Sequence, residues 1–273
     1  MLIKSLNRID AAAKKEVWEV YLCCKEYGNL KSNIFIEIEL DFNQEMNSLF
    51  LLYDKNRLVS FIFMFMPRSY EAEITAYTLP QHRRRGYFKR LLSEATEELK
   101  KYNVEDILFV CESQSLSGKE TIKRLGADYD FTEYFMRYDK SIIAFDSCCE
   151  YRTHLYNPDI SDLETLCQIS MLVYDESYED AESMIKSSLT SSNRKAYAED
   201  GEVSINGLGI LPEFQGKGYG KELLLMIMRD LLENGHENIT LEVNSKNNRA
   251  FELYRKSGFK VEIAIDYYRK AVE

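Results

Sequence analysis

The sequence is poor in the residues that build metal sites, disulfides and membrane spans. Its three histidines, His82, His154 and His236, stand apart and fall in no nucleophile or ligand spacing. Six cysteines occur as the adjacent pairs Cys23-Cys24 and Cys148-Cys149, with Cys111 and Cys167 alone. None forms a C-x-x-C, and neighbouring cysteines on one element make poor disulfides or metal sites. Reduced thiols in a cytoplasmic protein without a metal are therefore expected. The apolar stretch at residues 58–66 is strand length, and no run approaches the ~18 residues of a membrane span. The opening Met1-Leu2-Ile3-Lys4-Ser5 lacks the basic and apolar layout of a secretion signal. Basic residues are the minority, 35 against 45 acidic, for a formal net charge of -10. That balance argues against a nucleic-acid partner, because neutralising phosphates needs a basic surface. It is compatible with a cationic partner such as an amine, although a solvated acidic surface is the plainer reading.

What is present is a globular composition, 45% hydrophobic and 29% charged, over 273 residues. That length holds one large domain or two of ordinary size. An internal repeat favours two. Leu79, Pro80, Gly86, Tyr87, Lys89, Leu91 and Leu92 recur 132 residues later as Leu211, Pro212, Gly218, Tyr219, Lys221, Leu223 and Leu224. The register continues through Ile107 and Ile239, Gly126 and Gly258, and Arg137 and Arg269. An offset of that size is a domain, not a solenoid unit.

Each copy has the pattern of strand, glycine-bearing turn, long helix, strand, short helix, strand. In the second copy a strand is expected at 204–211, ended by Pro212. Helical spacing of Leu223, Leu224, Ile227, Leu231 and Leu232 predicts a helix over 219–232, stopped at Asn234-Gly235. A strand at 238–243, a short helix at 248–256 and a strand at 261–268 follow. In the first copy 48–53, 58–66 and 73–79 are predicted as a meander turned at Asp54-Lys55-Asn56. Helices at 11–27 and 162–173 open the two halves, and the junction is expected near 140–145, although Asn157-Pro158-Asp159 is the stronger turn signal. Between 193 and 211 there is room for about two strands, fewer than in the first half.

The segment Gln215-Gly216-Lys217-Gly218-Tyr219-Gly220 places consecutive backbone N–H groups between a strand and a helix start. Such N–H groups are unsatisfied and the helix dipole favours negative charge, so the loop is a candidate anion cradle. Lys217 and Lys221 could add charge, while a tight structural turn remains the plainer reading. It is not a Walker loop, since Glu222 follows Gly220-Lys221 where Ser or Thr is needed. It is not a dinucleotide fingerprint either, because its glycines are spaced two and two and no parallel βαβ unit precedes it.

The segment resembles the acetyl-CoA signature of the GNAT superfamily, (Gln/Arg)-x-x-Gly-x-(Gly/Ala), with Gln215, Gly218 and Gly220 in its defined positions. Downstream, Asn247-Asn248-Arg249-Ala250-Phe251-Glu252-Leu253-Tyr254 and then Gly258-Phe259 resemble the family's Asn-x-x-Ala-x-x-Leu-Tyr…Gly-Phe segment. The resemblance covers most of the second half and, more weakly, the first. It implies an α/β (α+β) chain of two tandem domains, each a central mixed, mostly antiparallel sheet flanked by helices. Residues 1–143 would be a degenerate copy and 144–273 the catalytic one.

The implied activity is direct transfer of an acetyl group from acetyl-CoA to a primary amine of a small molecule, by a monomer or homodimer. Backbone groups of Leu208, Gly209 and Ile210 would bond the pantetheine arm and the acetyl carbonyl, where a donor also stabilises developing negative charge. The N–H groups of Gln215, Gly216, Lys217, Gly218, Tyr219, Gly220 and Lys221 would hold the diphosphate. Asn247 would face the cofactor, and Tyr254 would protonate the departing thiolate as general acid. The acceptor amine also needs a base. The family's strand glutamate falls on Ser204 here, leaving Glu202, two residues earlier on the same face, as a candidate acting through water. In the first copy Phe88 replaces the last glycine and is expected to crowd a phosphate, Ile122 stands for Tyr254, and Ser115 for Asn247. The run His82-Arg83-Arg84-Arg85 is expected to be a solvated turn or a relic of phosphate binding. Two other readings stay open: a non-catalytic acyl-CoA-binding or regulatory module, and a peptide or protein N-acetyltransferase.

Overall fold

The structure is a computed structural model that describes residues 1–34, 36, 38, 41–141, 151–190 and 202–272. The junction expected near 140–145 falls largely on residues 142–150, and part of the strand room expected at 193–211 on residues up to 201. Those parts lie outside the described residues. The chain divides into two compact units, Met1–Glu133 with Ile263–Glu273, and Tyr134–Glu262.

The first unit holds β1 (Leu2–Leu6), α1 (Ala11–Gly28), β2 (Leu49–Asp54), β3 (Arg57–Phe65), β4 (Glu71–Thr78), α2 (Tyr87–Lys101), β5 (Asp106–Glu112) and α3 (Leu116–Arg124). Asp10 starts α1 by accepting from Ala13 N–H at 2.7 Å. The helix then buries Val17, Val20, Tyr21 and Cys24, one face at helical spacing. Residues Leu58 through Met64 of β3 are all buried, apolar but for Ser60, a pattern that suits a strand covered on both faces. Lys55 and Asn56, at φ 49° and 62°, make the left-handed pair of a two-residue hairpin. Strands β1 to β4 pair antiparallel in sequence order, and β4 pairs parallel with β5.

The other edge of β5 is taken by the end of the chain. β9 (Phe259–Ala271) runs antiparallel to it from Asp106↔Ala271 to Glu112↔Ile265. Arg269 fixes that register, reaching Asp130 through Nε at 2.8 Å, Asp106 through Nη1 at 2.7 Å and Glu71 through Nη2 at 3.0 Å. A planar guanidinium presents its donors in fixed directions, so one side chain holds three carboxylates in set positions.

The second unit holds α4 (Leu163–Tyr174), α5 (Tyr178–Thr190), β7 (Glu202–Ile205), α6 (Tyr219–Glu233), β8 (Asn238–Asn244) and α7 (Asn248–Lys256). β6 (Asp128–Tyr138) gives residues 128–133 to the first unit and 134–138 to the second. Its core gathers Met136, Leu224, Met228, Ile239, Leu241 and Phe259. β7 and β8 are parallel with α6 as their crossover. The glycine loop thus lies inside a parallel βαβ unit, and its glycine spacing alone separates it from a dinucleotide loop. The strand expected at 204–211 is shorter than the sequence suggests. It ends at Ile205, and Gly207 at φ 69° turns the backbone out of the extended region. As expected, the protein is an α/β chain whose mixed, mostly antiparallel strands are flanked by helices.

The repeat extends to backbone angles. Left-handed residues recur at the 132-residue offset as Arg84 and Gly216, Gly86 and Gly218, Asn103 and Gly235, and Gly126 and Gly258. Ser115 and Asn247 each cap the following short helix through the side chain. The first half keeps the left-handed turns even where Arg84 and Asn103 have replaced glycine.

Candidate active site

In the second unit β7 pairs with β8 only from Glu202↔Asn238 to Ile205↔Leu241, while β8 runs on to Asn244. Past Ile205 the pairing ends, and residues 206–211 lead on as a non-regular segment, the wall that runs into the loop. Leu208 packs against the core cluster. Gly209 lies so close to α4 that a Cβ there would meet Val173 Cγ1 at 2.4 Å and the Tyr174 hydroxyl at 3.3 Å. Only glycine fits, for steric reasons and not for its dihedral freedom. Tyr174 went unmarked in the sequence, where nothing distinguishes it from the other tyrosines.

The wall turns through Pro212–Phe214 into Gln215, then Gly216 at φ 74° and Gly218 at φ 89°, and α6 begins at Tyr219. Phe214 N–H bonds Leu211, Gln215 N–H bonds Pro212, and the next backbone donor in use is Glu222 N–H, to Gly218 at 3.1 Å. Among the described residues the N–H groups of Gly216, Lys217, Gly218, Tyr219, Gly220 and Lys221 donate no hydrogen bond. Six consecutive free donors at a helix N-terminus fit a diphosphate. A Cβ on Gly220 would sit 3.6 Å from both Ile210 Cγ1 and Leu253 Cδ2, so an alanine fits there without a clash. Gln215 braces the loop. Its Nε2 donates to the Ile210 carbonyl at 2.9 Å, and its Oε1 accepts from Arg249 Nη1 at 2.9 Å. Asn247 starts α7, accepting from Ala250 N–H at 3.1 Å, so its side-chain oxygen is engaged in the cap. Lys217 and Lys221 are exposed.

Tyr254 lies on α7, 7% exposed, its ring edge-on to Phe259 at 6.1 Å. Its hydroxyl makes no hydrogen bond among the described residues. Burial raises its pKa above the ordinary phenol value, so it is a proton donor at neutral pH. Burial, with the nearby Tyr254 adding to it, pushes the Tyr174 phenol up to about 12. The Tyr174 phenol, whose hydroxyl would be 3.9 Å from a Cβ on Gly207, is thus a protonated group beside the segment Gly207 to Gly209. Glu202 begins β7, five residues before Gly207, and lies at most ~16 Å along the chain from it. Its Oε2 is 2.9 Å from Arg137 Nη2, and Thr240 Oγ1 donates to Oε1 at 3.4 Å. The carboxylate is therefore ion-paired with Arg137.

The first unit carries the same parting of strands. β4 pairs with β5 only as far as Ile74↔Phe109, although the strands run on to Thr78 and Glu112. The N–H groups of residues 84–89 likewise donate no hydrogen bond among the described residues. Phe88 does not crowd that cradle as expected. Its half-buried side chain packs against the core, the same inward direction in which a Cβ on Gly220 would point toward Ile210 and Leu253. The halves differ behind the loop. Tyr77 stands where the second unit has Gly209, and its ring is fixed edge-on to Tyr21 at 5.4 Å and against Phe61 at 5.5 Å. Ile122, 5% exposed, stands where the second unit has Tyr254.

Among the described residues no helix is long and apolar enough to cross a membrane, and no group of three His, Cys, Asp or Glu residues is placed to hold a metal.

The model of the acetyltransferase (GNAT) family matches residues 14–126 and 187–259, more than half of the chain. A [ribosomal protein bS18]-alanine N-acetyltransferase of Haemophilus influenzae is 41% identical over 70 residues, 25% of this chain and 47% of that protein. A mycothiol acetyltransferase of Saccharomonospora viridis is 41% identical over 68 residues, 24% of this chain and 22% of that protein. The chain spans less than half the length of either relative. Among solved structures, a GCN5-related N-acetyltransferase from Sphaerobacter thermophilus aligns over 100% of this chain and 96% of its own, with TM-score 0.79 and 13% identity. A tandem GNAT protein from the clavulanic acid biosynthesis pathway aligns over 100% and 99%, with TM-score 0.68 and 11% identity. These two likenesses concern the fold, whereas the family match covers the loop, both parted strand pairs and Tyr254. The chain belongs to the acetyltransferase (GNAT) family.

Proposed function

We propose that this chain is an N-acetyltransferase that moves an acetyl group directly from acetyl-CoA to a primary amine of a small molecule. The chemistry is assigned to the second half, residues 144–273, and the first, 1–143, is read as a degenerate copy. The observation that carries the proposal is the run of six free N–H groups from Gly216 to Lys221, together with the buried, unpartnered phenol of Tyr254. Acetyl-CoA supplies an activated thioester when bound. The loop donors hold its diphosphate, and backbone groups of Leu208, Gly209 and Ile210 orient its arm and the acetyl oxygen. Tyr254 Oη gives its proton to the departing sulfur. The amine's proton leaves through water, with Glu202 as the terminal acceptor once its pair with Arg137 opens. No metal has a role, and the reaction is placed in the cytoplasm, in a monomer or homodimer.

A second reading, acetylation of a peptide or protein N-terminus, is favoured by the relative that acts on an alanine of a ribosomal protein. A non-catalytic acyl-CoA-binding module is the third. Calorimetric titration with acetyl-CoA, repeated with Gly220→Glu and Phe88→Glu, tests the cofactor. We expect saturable binding lost only with Gly220→Glu. Absence of binding by the unaltered protein would overturn both the enzyme and the module. A screen of small amines against N-terminal peptides then separates the acceptors. Tyr254→Phe should bind donor normally yet lose about a hundred- to ten-thousandfold in kcat, whereas a binding module would be indifferent.

A further inference from the structure

This inference rests on the cofactor reading above and concerns a residue outside both motifs. Arg152 precedes α4 and is held by a single carboxylate. Its Nε lies 2.7 Å from Glu222 Oε2, and Glu222 Oε1 accepts from the backbone N–H of Arg152 and of Thr153, the latter at 3.0 Å. Glu222, in the first turn of α6, is only 10% exposed at its side chain, while Arg152 is 53% exposed. From that anchor the guanidinium lies over the ring of Tyr219 at 4.3 Å, and both Nη atoms approach the Lys217 carbonyl at 3.3 Å. Nη2 would be 3.5 Å from a Cβ on Gly218.

A guanidinium carries five N–H groups in a planar fork. Glu222 takes one and the Lys217 carbonyl shares one from each Nη, which leaves two with no acceptor among the described residues. They lie beside Lys217, Gly218 and Tyr219, in the middle of the run of free backbone donors. A half-exposed, preorganised fork next to that run has the geometry that pairs with phosphate oxygens. With Lys217 and Lys221 it adds cationic charge beside the loop, in a chain of net charge -10. A residue that merely pinned its segment would need only the contacts to Glu222.

We propose that Arg152 binds the diphosphate of the acetyl donor, completing from outside the loop the cradle formed by Gly216 to Lys221. Arg152→Met and Arg152→Lys are titrated with acetyl-CoA, with 3′-dephospho-acetyl-CoA and with S-acetylpantetheine, which has no phosphate. Arg152→Met should weaken both phosphorylated donors about ten- to a hundredfold and leave S-acetylpantetheine unchanged. Arg152→Lys, which keeps the charge without the fork, should fall between. Equal loss for all three donors would make Arg152 structural and overturn the assignment. So would unaltered affinity, or a loss that vanishes with the dephospho donor. Failure of the unaltered protein to bind acetyl-CoA would overturn the cofactor reading itself, and this assignment with it.

Discussion

Gln215 donates from Nε2 to the carbonyl of Ile210 at 2.9 Å, and the bond is repeated in the first half, where Arg83 Nε donates to Thr78 at 3.1 Å. In both halves the first residue of the signature ties the loop back onto the wall of the parted strands. In the second half the same side chain also accepts from Arg249, so loop, wall and α7 are joined by one amide. Gln215→Leu strands the Ile210 carbonyl and the Arg249 guanidinium together. We expect about a tenfold rise in the Kd for acetyl-CoA, measured by calorimetry. Gln215→Arg, the first half's own residue, should keep the bond to Ile210 but repel Arg249, and so recover only part of the affinity.

The contact between Gly209 and Val173 predicts a paired result. A β-branched side chain has little rotamer freedom in a helix, so Val173 cannot swing aside from a Cβ placed 2.4 Å away. Gly209→Ala should therefore push the wall and α4 apart, costing about 1–3 kcal/mol in a denaturant melt and at least tenfold in kcat/KM. Val173→Ala in the same chain should restore much of both. If the double variant is no better than Gly209→Ala alone, the strain lies elsewhere.

The raised phenol of Tyr254 fixes the alkaline side of the rate profile. The group works protonated, and burial moves its pKa above the ordinary value. The limb on which activity is lost should therefore lie above about pH 10. On the acid side, kcat/KM should rise with pH as the acceptor amine loses its proton. In Glu202→Gln the acid limb should move to higher pH if the carboxylate takes that proton through water. Should the limb stay put while stability falls, Glu202 serves only its ion pair with Arg137. A fall in rate already at pH 8 would exclude Tyr254 as the acid.

Much of this was legible in the sequence because it is local. The loop announces itself through Gly216 and Gly218, whose left-handed backbone only glycine adopts cheaply. The long helices are written in the spacing of residues such as Leu223, Leu224, Ile227 and Leu231. What escaped depends on partners distant in the chain. The strand expected at 204–211 stops at Ile205 because Gly207 turns out of the ladder, and an apolar run gives no sign of where pairing ends. Phe88 was expected at the phosphate because sequence gives position without direction, and its side chain points inward. Tyr174 and Arg152 matter through the backbone they touch, Gly209 and Lys217, 35 and 65 residues further on. That the final residues of the chain complete the first unit is likewise invisible to a pattern that ends each copy with its own strand.

Those final residues supply a last prediction, on Asp266. Its carboxylate is 5% exposed and accepts from Ser113 Oγ at 2.6 Å and Thr132 Oγ1 at 2.7 Å, with Lys119 Nζ at 2.7 Å. Burial alone would raise its pKa, but Lys119 and the two hydroxyls outweigh it and hold the carboxyl below its usual value. A carboxylate depressed in the folded state stabilises that state above its unfolded pKa, about 3.9. The contribution is lost as the pH falls through the lower, folded value. Asp266→Asn should therefore lower stability at pH 7 by about 1–3 kcal/mol in a urea melt. The gap to the unaltered protein should persist down to about pH 4 and narrow only below it. A gap that stays constant through pH 3 would mean that the network acts through shape and hydrogen bonds, with the charge of Asp266 contributing nothing.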